Sequence, residues 1–183
     1  MGMATSFTLF DTPIGPCALV WGARGLVGTS LPEPSAAATR ERVLRRFRGS
    51  TEAAPPPEVQ RVIARVLSLL ASQPDDLADI ALDMSDVPGF NQRVYSVARA
   101  IRPGSTLTYG EVAAQMGLGP QAARAVGQAL GANPFPIIVP CHRVLAAGHQ
   151  AGGFSAPGGT RTKLRLLEIE GAPLGGSPGL FDA

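Results

Sequence analysis

Three prolines within seven residues, Pro134, Pro136 and Pro140, constrain this chain more than any other feature. Each locks φ near about −65° and removes a backbone donor, so the stretch Asn133 to Leu145 cannot form a continuous helix. It reads Asn-Pro-Phe-Pro-Ile-Ile-Val-Pro-Cys-His-Arg-Val-Leu. An extended, stiff segment is expected, delivering Cys141 on a rigid mount beside His142. A thiol becomes a useful nucleophile when a nearby base, cation or helix end favours its thiolate. A buried small hydrophobe next to a surface imidazole has the same local sequence, so the Cys-His pair alone does not decide.

The 183 residues suffice for one substantial core or two small ones, and no apolar run approaches the ~20 residues that span a bilayer. The start, Met-Gly-Met-Ala-Thr-Ser-Phe, lacks the charged and apolar regions of a secretory signal. A soluble, cytoplasmic protein without a membrane partner is expected. Cys17 and Cys141 could form one disulfide, but pairing would silence Cys141, so reduced thiols are expected. With only His142 and His149 as further soft ligands, a four-ligand zinc site is poorly supplied, and neither metal nor cofactor is expected. The net charge of +2 hides an asymmetry. Residues 1–87 hold 8 Arg against 10 Asp and Glu, whereas residues 88–183 hold 8 Lys and Arg against 4 Asp and Glu. The basic half carries Cys141, a modest footprint for a phosphate-contacting surface that an ordinary basic face would match equally well.

Residues 5–31 read as a short antiparallel meander, with turns at 12–16 and 23–25. A helix capped by Ser35 follows, with Val43, Leu44 and Phe47 inward and Arg42, Arg45 and Arg46 outward. Residues 49–57 break the pattern. Val59, Ile63, Val66, Leu67 and Leu70 then mark an amphipathic helix, and the alternation Ile80, Leu82, Met84 predicts a half-exposed strand. Val87-Pro88-Gly89 is the best boundary, dividing a structural α+β unit, 1–87, from a second unit, 88–183. In the latter, Phe90 to Ile101 predicts a helix ended by Pro103-Gly104. Thr108 and Glu111 form a capping box that opens a short helix, and Pro120 opens another that runs to Leu130.

Two short helices joined by a tight turn with Gly117 and Gly119 have the shape of a helix-turn-helix, although many such pairs are only packed helices. On the second helix Gln121, Arg124 and Gln128 share an outward stripe, interleaved with Ala125, Gly127 and Ala129. One cation among very small residues lets a helix approach a groove closely but gives it little vocabulary for reading sequence. On the last helix, about 100° per residue places Glu170 on the apolar side with Leu166 and Leu167, and Glu168 on the side of Arg161 and Arg165. A carboxylate on a core face needs a partner.

Pro-Cys-His-Arg at 140–143 followed by an aliphatic residue resembles the active-site signature of the O6-alkylguanine-DNA alkyltransferases. The resemblance extends from Phe90 to Leu174, about half the chain. It includes Pro103-Gly104 through Thr108-Tyr109-Gly110, the run Ala122-Ala123-Arg124-Ala125-Val126-Gly127, Asn133-Pro134 and the tail from Lys163 to Gly171. Asp11-Thr12-Pro13-Ile14-Gly15 is similar to the family's N-terminal strand turn. The sequence departs at Tyr95, where many members carry Trp, and at 152–159, which is two residues longer than the commoner form and has Phe154 for Tyr.

The resemblance implies an α+β fold: a small N-terminal strand and helix domain, then a mostly helical, winged-helix-like helix-turn-helix domain that binds DNA and catalyses. It implies direct-reversal repair, in which Cys141 takes the alkyl group from O6 of guanine, and by extension O4 of thymine, once per molecule. The implied partner is double-stranded DNA, entered through the minor groove by a monomer, with Gln121, Ala125 and Gln128 at the surface. Arg124 would fill the stack left by the flipped nucleotide, since a base atom inside a duplex is out of a thiolate's reach. Glu170 would orient His142, which draws the proton from Cys141 through a water, because adjacent residues of an extended strand point to opposite sides. Tyr109 would donate to the ring nitrogen and the Ser155 N–H to O6, while carbonyls near Cys141 and Val144 accept from the exocyclic amine. Asn133 would pin the bend before the active-site strand, or simply form an Asn-Pro turn. Two alternatives remain: a relative that binds the lesion without repairing it, which would replace the cysteine, and a cysteine hydrolase, which would bring its histidine from afar.

Overall fold

The computed structural model describes residues 3–152 and 156–173. Its first half is a four-stranded sheet, β1 (Ser6–Thr12), β2 (Gly15–Gly22), β3 (Gly25–Ser30) and β4 (Thr51–Glu52), in the order β3-β2-β1-β4. β1, β2 and β3 form the expected antiparallel meander. Its first turn places Gly15 at φ 122°, backbone that side chains rarely adopt. Residues 17–20 are all buried because β2 is covered on both faces. Ala18 and Val20 face Phe7 and Val43, while Leu19 joins the main core.

The helix α1 (Ala36–Arg46) covers the first face, with the Ser35 side chain accepting from Ala38 N. Thr39 and Val43 are its buried residues, and Leu44, expected inward, is exposed. The segment read as a breaker contributes β4, whose Thr51 and Glu52 pair in parallel with Ser6 and Phe7 on the open edge of β1. The helix α2 (Pro57–Leu70) follows, with Pro57 in its first turn, where a missing donor costs nothing.

The strand predicted at 80–84 is a single bridge from Leu82 to Leu26, with Leu26 N donating to Ala81 O and Asp83 N to Leu26 O. Side chains compete with the ladder there. Asp75, Asp76 and Asp83 each accept from a backbone N–H two residues on, which turns the chain instead of extending it.

The second half begins with α3 (Gly89–Arg99), directly after Pro88. Its Tyr95 is fully buried and its hydroxyl donates to Ala129 O at 2.7 Å, so the phenol has both a packing and a polar role. A two-residue β5 (Leu107–Thr108) leads into α4 (Tyr109–Gln115), where both arms of the predicted capping box are present. After Gly117, Pro120–Ala122 form a 3-10 turn that runs into α5 (Ala123–Gly131), shorter than the helix expected from Gln121. β6 (Val144–Leu145) pairs in parallel with β5, tying the residues after Cys141 to the start of α4. The last helix is α6 (Gly159–Glu170).

One hydrophobic core runs through both halves, joining Leu19, Leu26 and Leu69 to Val94, Leu130 and Leu166. Among the described residues no helix is long and apolar enough to cross a membrane.

Candidate active site

The segment carrying Cys141 is folded back on itself, not extended. Ile137 takes φ 76°, Val139 N donates to Phe135 O at 2.8 Å, and Cys141–Arg143 form one 3-10 turn closed by Arg143 N on Pro140 O. The prolines permit this because φ near about −65° suits a turn as well as a strand, and every donor they remove is one a turn need not satisfy. Asn133 ties the loop shut. Its Oδ1 accepts from Phe135 N at 2.8 Å and its Nδ2 donates to Val139 O at 2.9 Å.

The 3-10 turn buries all three of Cys141, His142 and Arg143, the thiol residue at 7% exposure. Glu170 meets the turn from the end of α6. Its Oε1 lies 2.8 Å from His142 Nε2 and accepts from Arg143 Nη2 at 2.7 Å, while its Oε2 accepts from Arg143 Nε at 2.9 Å. Its side chain is 2% exposed. Burial alone would raise this carboxyl, but the hydrogen bonds from Arg143 and His142 outweigh it and hold it at about 2.

An ionised carboxylate only accepts, so His142 Nε2 carries the hydrogen and Nδ1 is left with a bare lone pair. That atom is buried and has no hydrogen-bond partner among the described residues. Burial lowers the His142 pKa against the pull of Glu170, which keeps the ring neutral. Burial pushes the Cys141 thiol up, opposed by the Asn133 hydrogen bond and the Lys163 ammonium. The thiol therefore rests protonated beside a neutral base. Glu168, by contrast, is exposed and pairs with Arg165, as the helical geometry predicted.

Tyr109, first residue of α4, is half-buried, its hydroxyl pKa raised by burial and by electrostatic coupling to Cys141. The Val144 carbonyl, expected to receive an amine, already accepts from Lys163 Nζ at 2.7 Å and has one lone pair left. Ser155 and Phe154 lie outside the described residues. On α5 and the turn before it, Gln121, Arg124 and Gln128 are exposed and Ala125 half-buried, whereas Ala129, expected in the outer stripe, is buried.

Two residues of the site went unread in the sequence. Arg143 is a full charge in an otherwise apolar run, and it also donates through Nη1 to Ile101 O at 2.7 Å. Lys163 is fully buried, its ammonium 5.8 Å from the centre of the Tyr109 ring, and burial lowers it to about 8. The 3.6-residue period that places Glu170 inward also places Lys163 there, seven residues earlier, so the signal was available.

The family model for the DNA-binding domain of 6-O-methylguanine DNA methyltransferase matches residues 89–172. The methylated-DNA-protein-cysteine methyltransferase of Mycobacterium leprae is 39% identical, over 94% of this chain and 96% of its own. That of Methanothermobacter thermautotrophicus is 34% identical, over 90% of this chain and 84% of its own. Among solved structures, Mycobacterium tuberculosis OGT in complex with DNA superimposes with a TM-score of 0.73 at 33% identity, covering 92% of this chain and 95% of the other. These likenesses take in both halves of the fold, the loop that carries thiol and imidazole and the helix that carries the carboxylate, and the chain belongs to the methylated-DNA-protein-cysteine methyltransferase family.

Proposed function

We propose that this protein repairs double-stranded DNA by moving the alkyl group of O6-alkylguanine, and of O4-alkylthymine, onto Cys141. The observation that carries this reading is the buried Nδ1 of His142, without a hydrogen-bond partner among the described residues, whose other nitrogen is engaged by an ionised Glu170 next to a buried thiol. Nδ1 takes the thiol proton through one water, and Glu170 stabilises the imidazolium that forms. The thiolate attacks the alkyl carbon, a carbon–sulfur bond forms, and the carbon–oxygen bond breaks with its electron pair left on O6. Tyr109 offsets that charge by donating to the base, the Ser155 N–H serves O6, and the free lone pair of the Val144 carbonyl orients the exocyclic amine.

A base inside the duplex cannot reach this sulfur, so the nucleotide rotates out. Arg124, on an exposed face with Gln121, Ala125 and Gln128, occupies the vacated stack from the minor groove. The protein acts as a monomer in the cytoplasm, residues 1–87 holding the active-site unit, 88–183, in shape.

The product is a thioether, which has no electrophilic carbonyl for water to attack, so each molecule acts once. The test mixes the protein with a tenfold excess of duplex containing O6-methylguanine. One repaired base per protein and a mass gain of one methyl at Cys141 are expected, with neither in Cys141→Ala. Binding without mass gain would leave only lesion recognition, and repeated turnover by unmodified protein would overturn the mechanism.

A further inference from the structure

The first half of the chain reaches into the active-site loop with three donors. Thr29 of β3 donates its backbone N–H to Pro134 O at 2.9 Å and its hydroxyl to Pro136 O at 2.6 Å. Arg46, the last residue of α1, donates Nη2 to the Asn133 carbonyl at 3.1 Å. The two Thr29 bonds are neutral ties. The third brings a full charge to the residue whose side chain closes the loop that leads into Cys141. Arg46 and Cys141 also line one cavity of about 320 Å³, together with Arg42, Arg45 and Asn133.

Packing sets the aim of Arg46. Phe47, the residue after α1, lies so close over Gly28 of β3 that a Cβ there would collide with the ring. The Arg46 guanidinium sits 5.8 Å from the centre of that ring. Burial and the neighbouring Arg42 both work against a charge on Arg46, a setting in which a guanidinium keeps its proton.

We infer that Arg46 is a positioning residue for alkyl transfer: its guanidinium holds Asn133 against Cys141 and places a positive charge that favours the thiolate. This rests on Cys141 being the nucleophile. The other charged or titratable groups around Cys141 are Lys163 of α6, Tyr109 of α4 and Tyr95 of α3, each electrostatically coupled to it, the adjacent His142, and Arg42 and Arg45 on the cavity wall. Arg42 is partly neutralised by Glu33 at 3.6 Å. Lys163 loses its charge above about pH 8, within the range where a thiol titrates, so its help fades where that of Arg46 persists. As a residue Arg46 remains exposed, and solvent on that side limits its effect.

The experiment follows modification of Cys141 by iodoacetamide, which needs neither DNA nor alkyl-transfer activity, between about pH 6 and pH 10, with peptide mass separating Cys141 from Cys17. The full-length protein is compared with Arg46→Met, Arg46→Lys and Arg48→Met. In Arg46→Met the midpoint should rise by about half a pH unit, making the reaction about threefold slower at neutral pH. Arg46→Lys should fall nearer the unaltered protein than Arg46→Met does. Arg48 lies outside the cavity, and its loss should leave the profile in place. If Arg46→Met does not fold, Arg46→Gln replaces it with the same expected displacement. A neutral variant whose profile coincides with the unaltered protein, or a lysine variant displaced as far as the neutral one, overturns the inference. Reaction with O6-benzylguanine runs in parallel: unaltered protein that is inert to it would count against the proposed function, whereas the iodoacetamide profiles judge Arg46 alone.

Discussion

Replacing Glu170 with Gln keeps the shape of the side chain and removes its charge, so it isolates what the carboxylate does. Hydrogen bonds from Arg143 and His142 hold that carboxyl at about 2 in the folded protein. Set against about 4.3 in an unfolded chain, this is worth roughly 3 kcal/mol at about 1.4 kcal/mol per pH unit, undiscounted because the side chain is 2% exposed. The variant also leaves the buried Arg143 guanidinium without its counter-charge, so about 3 to 5 kcal/mol should be lost at neutral pH. That lowers Tm by about 6 to 20 °C for a chain of this size. A lowered folded pKa stabilises above the unfolded value, and the contribution disappears as pH falls from about 4 toward 2. The gap in Tm between the two proteins should therefore close on acidification. Transfer should slow by on the order of 100-fold to 10,000-fold, because the imidazolium loses its carboxylate and gains an uncompensated Arg143 nearby. Single-turnover repair of a duplex carrying O6-methylguanine at neutral pH measures the rate, and duplex affinity, measured separately, should hardly change. Glu168→Gln, which alters an exposed pair with Arg165, should be silent in both assays. A Glu170→Gln protein that repairs at the unaltered rate, or a Glu168→Gln protein slower than it, would refute the reasoning.

Arg124→Ala should slow repair in duplex DNA at least tenfold while sparing reaction with free O6-benzylguanine, because a free base leaves no gap to fill; equal losses would assign Arg124 to folding or chemistry. Gly28→Ala should cost about 1 to 3 kcal/mol by forcing Phe47 off β3, a Tm decrease of about 2 to 12 °C by calorimetry. Methylation of Cys141, a residue 7% exposed, adds a carbon to a buried site and removes the polar S–H. Alkylated protein should melt below unalkylated protein by a similar margin, and an unchanged melting curve would mean the site has room to spare.

Periodicity made most of the fold legible. The meander, the capped α1 and α4, and the inward face of α6 all follow from local rules that involve a few neighbouring residues. What escaped depends on partners far away in sequence. Residues 80–84 alternate like a strand, but Asx turns on either side left a single bridge to Leu26. Two-residue β4 has no pattern of its own and exists because β1 offers a free edge. In the active-site loop the prolines excluded a helix correctly, yet φ alone does not separate an extended path from a series of turns, and the Asn133 side chain selects the latter. Glu170 could be picked out because it sits among leucines. Lys163 satisfies the same test, but a long cationic side chain usually reaches solvent from such a position, which is why periodicity alone underweights it.

The carboxylate that engages His142 belongs to the last residue of a helix, the part of any helix that opens most readily. Beyond it Gly171 turns left-handed, with its N–H on Glu168 O and that of Ala172 on Leu167 O. The Arg143 guanidinium, anchored to Ile101 O, grips the same terminus from another part of the chain. Each momentary unwinding of that turn would withdraw the carboxylate from His142. The free energy of local opening at the end of α6 thus sets what fraction of molecules is competent to react at any instant, and the fork of Arg143 acts on that fraction as a latch.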